Sequence, residues 1–304
     1  MPNEVTKKIE LASKNFFEKY SFWGLVRGRS IYDMDIFYDL CQLFLEHEEI
    51  GGYINYGLWS EGENTKNPCL EMSRFLGSAL RLTPGDIVLD VGSGYGQPLI
   101  DLITHFSIEK GIGINTSSAQ IAHATTRAGL SGVAEKVVFL HIEPKENYEH
   151  LRNERIGKAF SISVFSETKD ATPFFSNLSR LLPRKGLFAL GEFIIKEVRL
   201  NLFRRLESFF WFQIQKLVYA DHWRTLRAYN DIAAKNGFTV VSLQEIGSKI
   251  FPFDRNNTLR KAPLLRKNSI PMSARLLTYL SHFAVYRLHK LGVLDYVVVL
   301  YQKI

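Results

Sequence analysis

At 304 residues, 46% of them hydrophobic, the chain is long enough to bury a sizeable core as one large domain or as a domain with a cap. Its 38 basic and 31 acidic residues give a net charge of +7, spread along the sequence without a long basic tract. This argues against a polyanion-binding tail and implies only weak attraction to anions. The 2 cysteines, Cys41 and Cys69, follow no zinc spacing and cannot build a disulfide framework, so a reducing, cytoplasmic setting without a metal site is expected.

Met1 to Tyr20 is amphipathic, with lysines and glutamates where a secretion signal needs an unbroken apolar segment, and predicts a helix. Helical patterns follow at Ile31 to His47 and Leu70 to Leu80. From Pro84 the pattern alternates: strand Ile87 to Val91, helix Pro98 to Phe106, strand Gly111 to Ile114, helix Ala119 to Ala128, strand Val137 to His141. It continues with strand Ala159 to Phe165, helix Phe174 to Leu182, strand Leu187 to Phe193, helix Leu226 to Asn236 closed by Gly237, and strands Thr239 to Ile246 and Tyr296 to Gln302. Such alternation predicts an α/β fold: a seven-stranded, mostly parallel sheet with helices on both faces.

Two regions break this rhythm, the stretch before Pro84 and the aromatic-, leucine- and arginine-rich Lys196 to Arg224, later joined by Phe251 to Leu291. They are expected to form a helical lid over the C-terminal strand edge, where ligands of open α/β sheets bind. The expected partition is an arm and lid at 1–83, a cofactor-binding core at 84–195, a helical insertion at 196–224, and the rest of the sheet at 225–304 with a second insertion at 251–291. No uncharged apolar run approaches the ~20 residues of a bilayer span. Stable membrane insertion is therefore not expected, while peripheral association and homo-oligomerisation stay open.

The most informative segment is Val88-Leu89-Asp90-Val91-Gly92-Ser93-Gly94-Tyr95-Gly96. Glycines at 92, 94 and 96 let the turn after a strand fold tightly and let backbone N–H groups approach a ligand. Gln97 stands where a dinucleotide fingerprint needs its third glycine, and no G-K-[ST] follows to make a phosphate loop. The motif thus points to an adenosine-containing ligand other than NAD or ATP.

With its neighbours, this segment resembles the class I S-adenosylmethionine-dependent methyltransferases. Asp90 to Pro98 is similar to the branch of natural-product sugar O-methyltransferases, sterol C-methyltransferases and tocopherol methyltransferases. Tyr53-Ile54-Asn55-Tyr56-Gly57-Leu58-Trp59 resembles that branch's upstream H-[YF]-G-[YL]-W segment, and Gly113 to Gln120 its G-[IV]-[DENT]-[IL]-S-x-x-Q segment. Arg180 to Gly186 with Gly191-Glu192-Phe193 resembles the R-x-L-x-P-G-G and A-[ED]-F pair.

The resemblance implies a Rossmann-like fold and S-adenosylmethionine as cofactor. Gly92, Ser93, Gly94 and Gly96 would wrap its methionine moiety, with Asp90 near the ammonium. Asn115 stands where most members have an acid gripping both ribose hydroxyls, Gln120 opens the following helix with a further polar contact, and Glu143 takes the place of the aspartate that accepts from the adenine amino group. His141 is read as a strand-end packing residue. The E-[ST]-x-x-H pattern that supplies a general base in the sugar O-methyltransferases is met only by Glu167-Thr168; the histidine is absent. His222 and Glu167 are the remaining candidates for moving a proton.

Tyr53, Tyr56, Trp59 and Trp211 would suit a hydrophobic acceptor, and the helix Arg199 to Tyr219 either packs over the sheet or lines that acceptor site. Arg199, Arg204, Arg205 and Lys216 on that helix can serve a solvated face, an acceptor phosphate or an anionic membrane surface. The expected activity is methyl transfer to a carbon, oxygen or nitrogen of a hydrophobic small molecule, with no nucleic acid partner. The alternative is a homologue that binds the cofactor without transferring its methyl group, as a regulator or as another catalyst such as a cyclase.

Overall fold

The computed structural model describes residues 52–53, 55–59, 67–143, 146–218, 222–250 and 272–304. The expected helices at Met1 to Tyr20 and Ile31 to His47, Tyr219, and the 251–271 part of the second insertion lie outside the described residues, as does the side chain of Lys216. The chain divides into two compact units. One comprises Gly52–Ile195, His222–Ile250 and Asp295–Ile304 and holds the sheet; the other includes Lys196–Asp221 and Phe251–Leu294.

In the sheet unit, α1 (Pro68–Ala79) is followed by β1 (Ile87–Val91), α2 (Gln97–Phe106), β2 (Lys110–Asn115), α3 (Ser118–Leu130) and β3 (Val137–His141). Then come β4 (Lys158–Ile162), α4 (Thr172–Leu181) and β5 (Leu187–Ile195). After the helical-unit segment α5 (Leu202–Val218), the chain returns with α6 (Leu226–Lys235), β6 (Phe238–Glu245) and the short α7 (Gly247–Ile250). Helix α8 (Met272–Lys290) leads to β7 (Leu294–Lys303). The seven strands run in the order β3-β2-β1-β4-β5-β7-β6. β1 pairs in parallel with β2 and β4, β2 with β3, and β4 with β5, whereas β6 is antiparallel to β7.

The local causes are legible. Val88, Leu89 and Val91 are fully buried, as an apolar strand covered on both faces must be, and each side chain contributes about 1.5–3 kcal/mol. On α2, Leu99, Ile100, Leu102 and Ile103 form the buried stripe, and Pro98 sits in the first turn where no N–H is needed. Thr225 caps α6 by accepting from the Ala228 N–H at 3.2 Å, and Ser117 caps α3 through Gln120 N–H at 3.3 Å. Gly237 follows the end of α6.

The described part of the 1–83 arm belongs to the sheet unit, where α1 packs on α2, Gly77 giving the close approach to Phe106 and Leu102. One sequence-based expectation needs correction. Strand β4 ends at Ile162 instead of running to Phe165. Ser163 takes a left-handed conformation, φ 55°, while its N–H donates to Gly191 O at 2.8 Å, and Val164 turns over Gly92. The apolar run past Ile162 therefore belongs to a loop at the strand edge.

Candidate functional site

The order reverses between β1 and β4, so their C-terminal ends open a crevice at the topological switch point. The glycine turn stands there. Gly92 and Ser93 donate their N–H groups to Ile114 O at 2.9 and 3.0 Å, which locks the turn to the end of β2. Gly92 has φ 80° and Gly96 φ 79°. A Cβ on Gly92 would lie 2.3 Å from Val164 Cγ2, and one on Gly96 2.5 Å from Phe139 Cζ, so both the backbone conformation and the space demand glycine. Gly96 also begins α2 without a side-chain cap, leaving the positive end of that helix to the turn.

Asp90 is 2% exposed, and its Oδ2 has no hydrogen-bond partner. Burial pushes its carboxyl well above the usual carboxylate range. Ser93 Oγ and Gln120 Nε2 are likewise buried without partners. At the end of β2, Asn115 Nδ2 donates to Gln120 Oε1, so Gln120 orients the Asn115 amide instead of projecting separately. Three orphaned polar atoms beside a turn that excludes Cβ atoms fit a ligand carrying an ammonium group and hydroxyls, as S-adenosylmethionine does.

Ile142 N–H donates to Asn115 O at 3.0 Å, which brings the β3 end alongside. The Glu143 side chain beyond it is 53% exposed and lies 3.7 Å from His141 Nε2. The His141 ring is 2.7 Å from Thr116 O, a local tie between the β2 and β3 ends. Asp90, Gly92, Ser93, Gly94, Gly96, Asn115 and Gln120 thus converge, and Glu143 lies at the rim.

On the other side of the switch point, Glu192 is fully buried at the end of β5. Its carboxylate accepts from Phe165 N–H at 2.7 Å, Ser166 N–H at 3.3 Å and Phe193 N–H at 2.8 Å. Arg224 clamps the same loop, donating to the carbonyls of Phe165 at 2.6 Å, Thr168 at 2.5 Å, Lys169 at 2.8 Å and His222 at 3.0 Å. His222 N–H donates to Ser166 O at 3.1 Å, so the two proton-transfer candidates, His222 and Glu167, share one loop cluster. Above it Phe193 stacks on Trp223 at 5.8 Å and meets Tyr56 edge-on at 5.1 Å and Tyr296 at 4.9 Å.

Burial pushes the Glu192 carboxyl up to about 7, against the pull of its N–H donors. Between its ordinary value of 4.5 and about 7 the folded chain holds a proton that the unfolded chain has released. The stability Glu192 contributes is therefore greatest below that window and falls as pH rises through it. Denaturant titrations of wild type and Glu192→Gln are expected to diverge by up to about 3 kcal/mol across this window, wild type losing ground towards pH 7.5. A pH-independent difference would contradict the assignment.

Two of the expected acceptor-binding residues have other duties. Tyr53 is 4% exposed and its hydroxyl donates to the Asp101 carboxylate, which also accepts from Gln97 Nε2 at 2.9 Å; it is a strut to α2. Trp211 belongs to the helical unit, where its ring meets Phe283 at 5.2 Å and its Nε1 donates to Glu207 at 3.2 Å. Tyr56 remains at the aromatic cluster, with Trp59 Nε1 donating to its carbonyl at 3.4 Å. Arg224 and Trp223 were not singled out from the sequence, and Glu192 and Phe193 only as part of a motif. Their signals were an acid inside the apolar run Leu187 to Ile195 and an arginine next to the helix cap Thr225.

The mycolic acid cyclopropane synthetase family model matches residues 66–255. The erythromycin 3''-O-methyltransferase of Saccharopolyspora erythraea is 25% identical over 200 residues, 64% of this chain and 63% of that protein. The cycloartenol-C-24-methyltransferase 1 of Oryza sativa subsp. japonica is 26% identical over 204 residues, 64% of this chain and 57% of its own. The match thus spans about three-fifths of these curated relatives. Among solved structures, mycolic acid cyclopropane synthase CmaA1, complexed with S-adenosylhomocysteine (SAH) and CTAB, superposes with a TM-score of 0.71 at 20% identity, covering 88% of this chain and 95% of that one. With the sheet order and the glycine turn, the family match over residues 66–255 settles the kinship: the chain belongs to the mycolic acid cyclopropane synthetase family, within the class I S-adenosylmethionine-dependent methyltransferases.

Proposed function

We propose that this chain transfers the methyl group of S-adenosylmethionine to a hydrophobic small molecule. The observation that carries the reading is the set of buried, unpartnered polar atoms, Asp90 Oδ2, Ser93 Oγ and Gln120 Nε2, at the glycine turn. Asp90 holds the ammonium, Gly92, Ser93, Gly94 and Gly96 wrap the methionine moiety, and Asn115, braced by Gln120, meets the ribose. Glu143 accepts from the adenine amino group at the rim. Held by these residues, S-adenosylmethionine would supply an electrophilic methyl group, the sulfur keeping the pair of the bond that is lost.

The remaining work is alignment and removal of a proton from the methylated atom. Tyr56, Trp59, Phe193 and Trp223 offer the apolar wall, which favours an acceptor of the kind named in the sterol and macrolide relatives. His222 accepts the proton, with Glu167 beside it in the same loop cluster. His222→Ala is expected to lower kcat by roughly 10²-fold or more, leaving SAH affinity within about twofold. A kcat within threefold of wild type, read by SAH release, would assign the proton to another group. Calorimetric titration with SAH tests the pocket itself: saturable micromolar binding is expected, and no heat up to millimolar ligand would overturn it.

A further inference from the structure

Helix α5 has two faces of different fate. Ile214 and Gln215 are buried, Gln215 Nε2 donating to Ser281 O at 2.6 Å on α8, and Ile214 packs with Ala284. On the other face, Leu202, Phe203, Leu206, Phe209 and Phe210 are between 54% and 82% exposed. At roughly 100° per residue they fall within an arc of about 120°, a continuous apolar stripe. Exposed stripes of this size mark docking surfaces in water-soluble folds.

Charge identifies the occupant. Arg199 and Arg205 are exposed at the N-terminal end of the stripe, and Arg204 is exposed on the other side of the helix. The only acid between Val198 and Val218 is Glu207, and its carboxylate is engaged by Arg287 Nε at 2.8 Å, which holds it below the usual carboxylate range. Arg199 and Arg205 also line a groove of about 640 Å³ with Val198, Leu200, Ser208, Phe209 and Phe212, so cationic and apolar groups share one opening. Pairing two copies through this stripe would bring like charges together, whereas an anionic bilayer satisfies both halves. Among the described residues no helix is long and apolar enough to cross a membrane, so the contact is interfacial.

We infer that α5 docks on anionic phospholipid surfaces, with Leu202, Phe203, Leu206, Phe209 and Phe210 entering the acyl boundary and Arg199 and Arg205 meeting headgroup phosphates. The surface needs no catalytic residue, so it stands independently of methyl transfer. Sedimentation of the full chain with vesicles of phosphatidylcholine and phosphatidylglycerol in equal parts is expected to show binding that weakens with salt and on pure phosphatidylcholine. Phe203→Ser with Phe209→Ser, both exposed positions, should reduce partitioning by roughly tenfold or more, and Arg199→Gln with Arg205→Gln by a similar factor on anionic vesicles only. Circular dichroism matching wild type keeps these variants interpretable. Absence of vesicle binding, unchanged partitioning of both variants, or a dimer that dissociates in Phe203→Ser without any lipid effect would overturn the inference.

Discussion

Asp90→Asn is expected to weaken S-adenosylmethionine binding by roughly a hundred-fold while leaving the unliganded chain as stable as wild type or more stable. The carboxyl is buried with an unpartnered oxygen, so its charged form is opposed by burial in the free chain, and the amide carries no such cost. With the ligand bound, the same charge faces an ammonium, and losing one partner of a buried pair costs about 3 kcal/mol, near two powers of ten in Kd. Because burial raises the free-state pKa of Asp90, the bound cation draws its proton off. Affinity should therefore fall as pH drops through that raised value, and calorimetry in two buffers of different ionisation enthalpy should show proton release in wild type and less in the variant. Equal affinities would remove Asp90 from the pocket.

Gly96→Ala is expected to destabilise the chain by about 2–6 kcal/mol and to lower cofactor affinity with it. Two independent costs act. The backbone at φ 79° is strained for an L side chain by about 1–3 kcal/mol. The added methyl then lies 2.5 Å from Phe139 Cζ and 2.8 Å from Ala124 Cβ, and overpacking of this kind costs about 1–3 kcal/mol more. Chemical denaturation measures the sum; a loss under 1 kcal/mol would mean that Phe139 swings aside and that the turn tolerates a side chain. Gly129→Ala, with open space at its Cβ, is the matched control.

How far the sequence revealed all this depends on whether the signal was local. Strands β1 and β3 could be read to the residue because each is a short apolar or β-branched run bounded by turn residues, and Asp90 with its glycines because the turn demands them in that spacing. The end of β4 was misplaced because Ser163-Val164-Phe165 has strand composition. What turns the chain there is a tertiary hydrogen-bond set from Glu192 and Arg224, residues 29 and 61 positions beyond Ser163 by their numbering. Tyr53 was read as an acceptor contact for the same reason: its partner Asp101 lies on a helix 48 residues away. Aromatic composition announces apolar clusters without saying which rings meet, and the contacts of Tyr56 with Phe193 and of Trp211 with Phe283 are set by the fold.

The most direct test is to supply the purified chain with methyl-labelled S-adenosylmethionine and an apolar metabolite extract, then follow both products by mass spectrometry. SAH is expected to be released in equal amount to an apolar compound that has gained the labelled methyl, with both signals lost in Asp90→Asn at limiting cofactor. Saturable cofactor binding with no SAH formed across the extract would contradict methyl transfer and leave a cofactor-binding homologue.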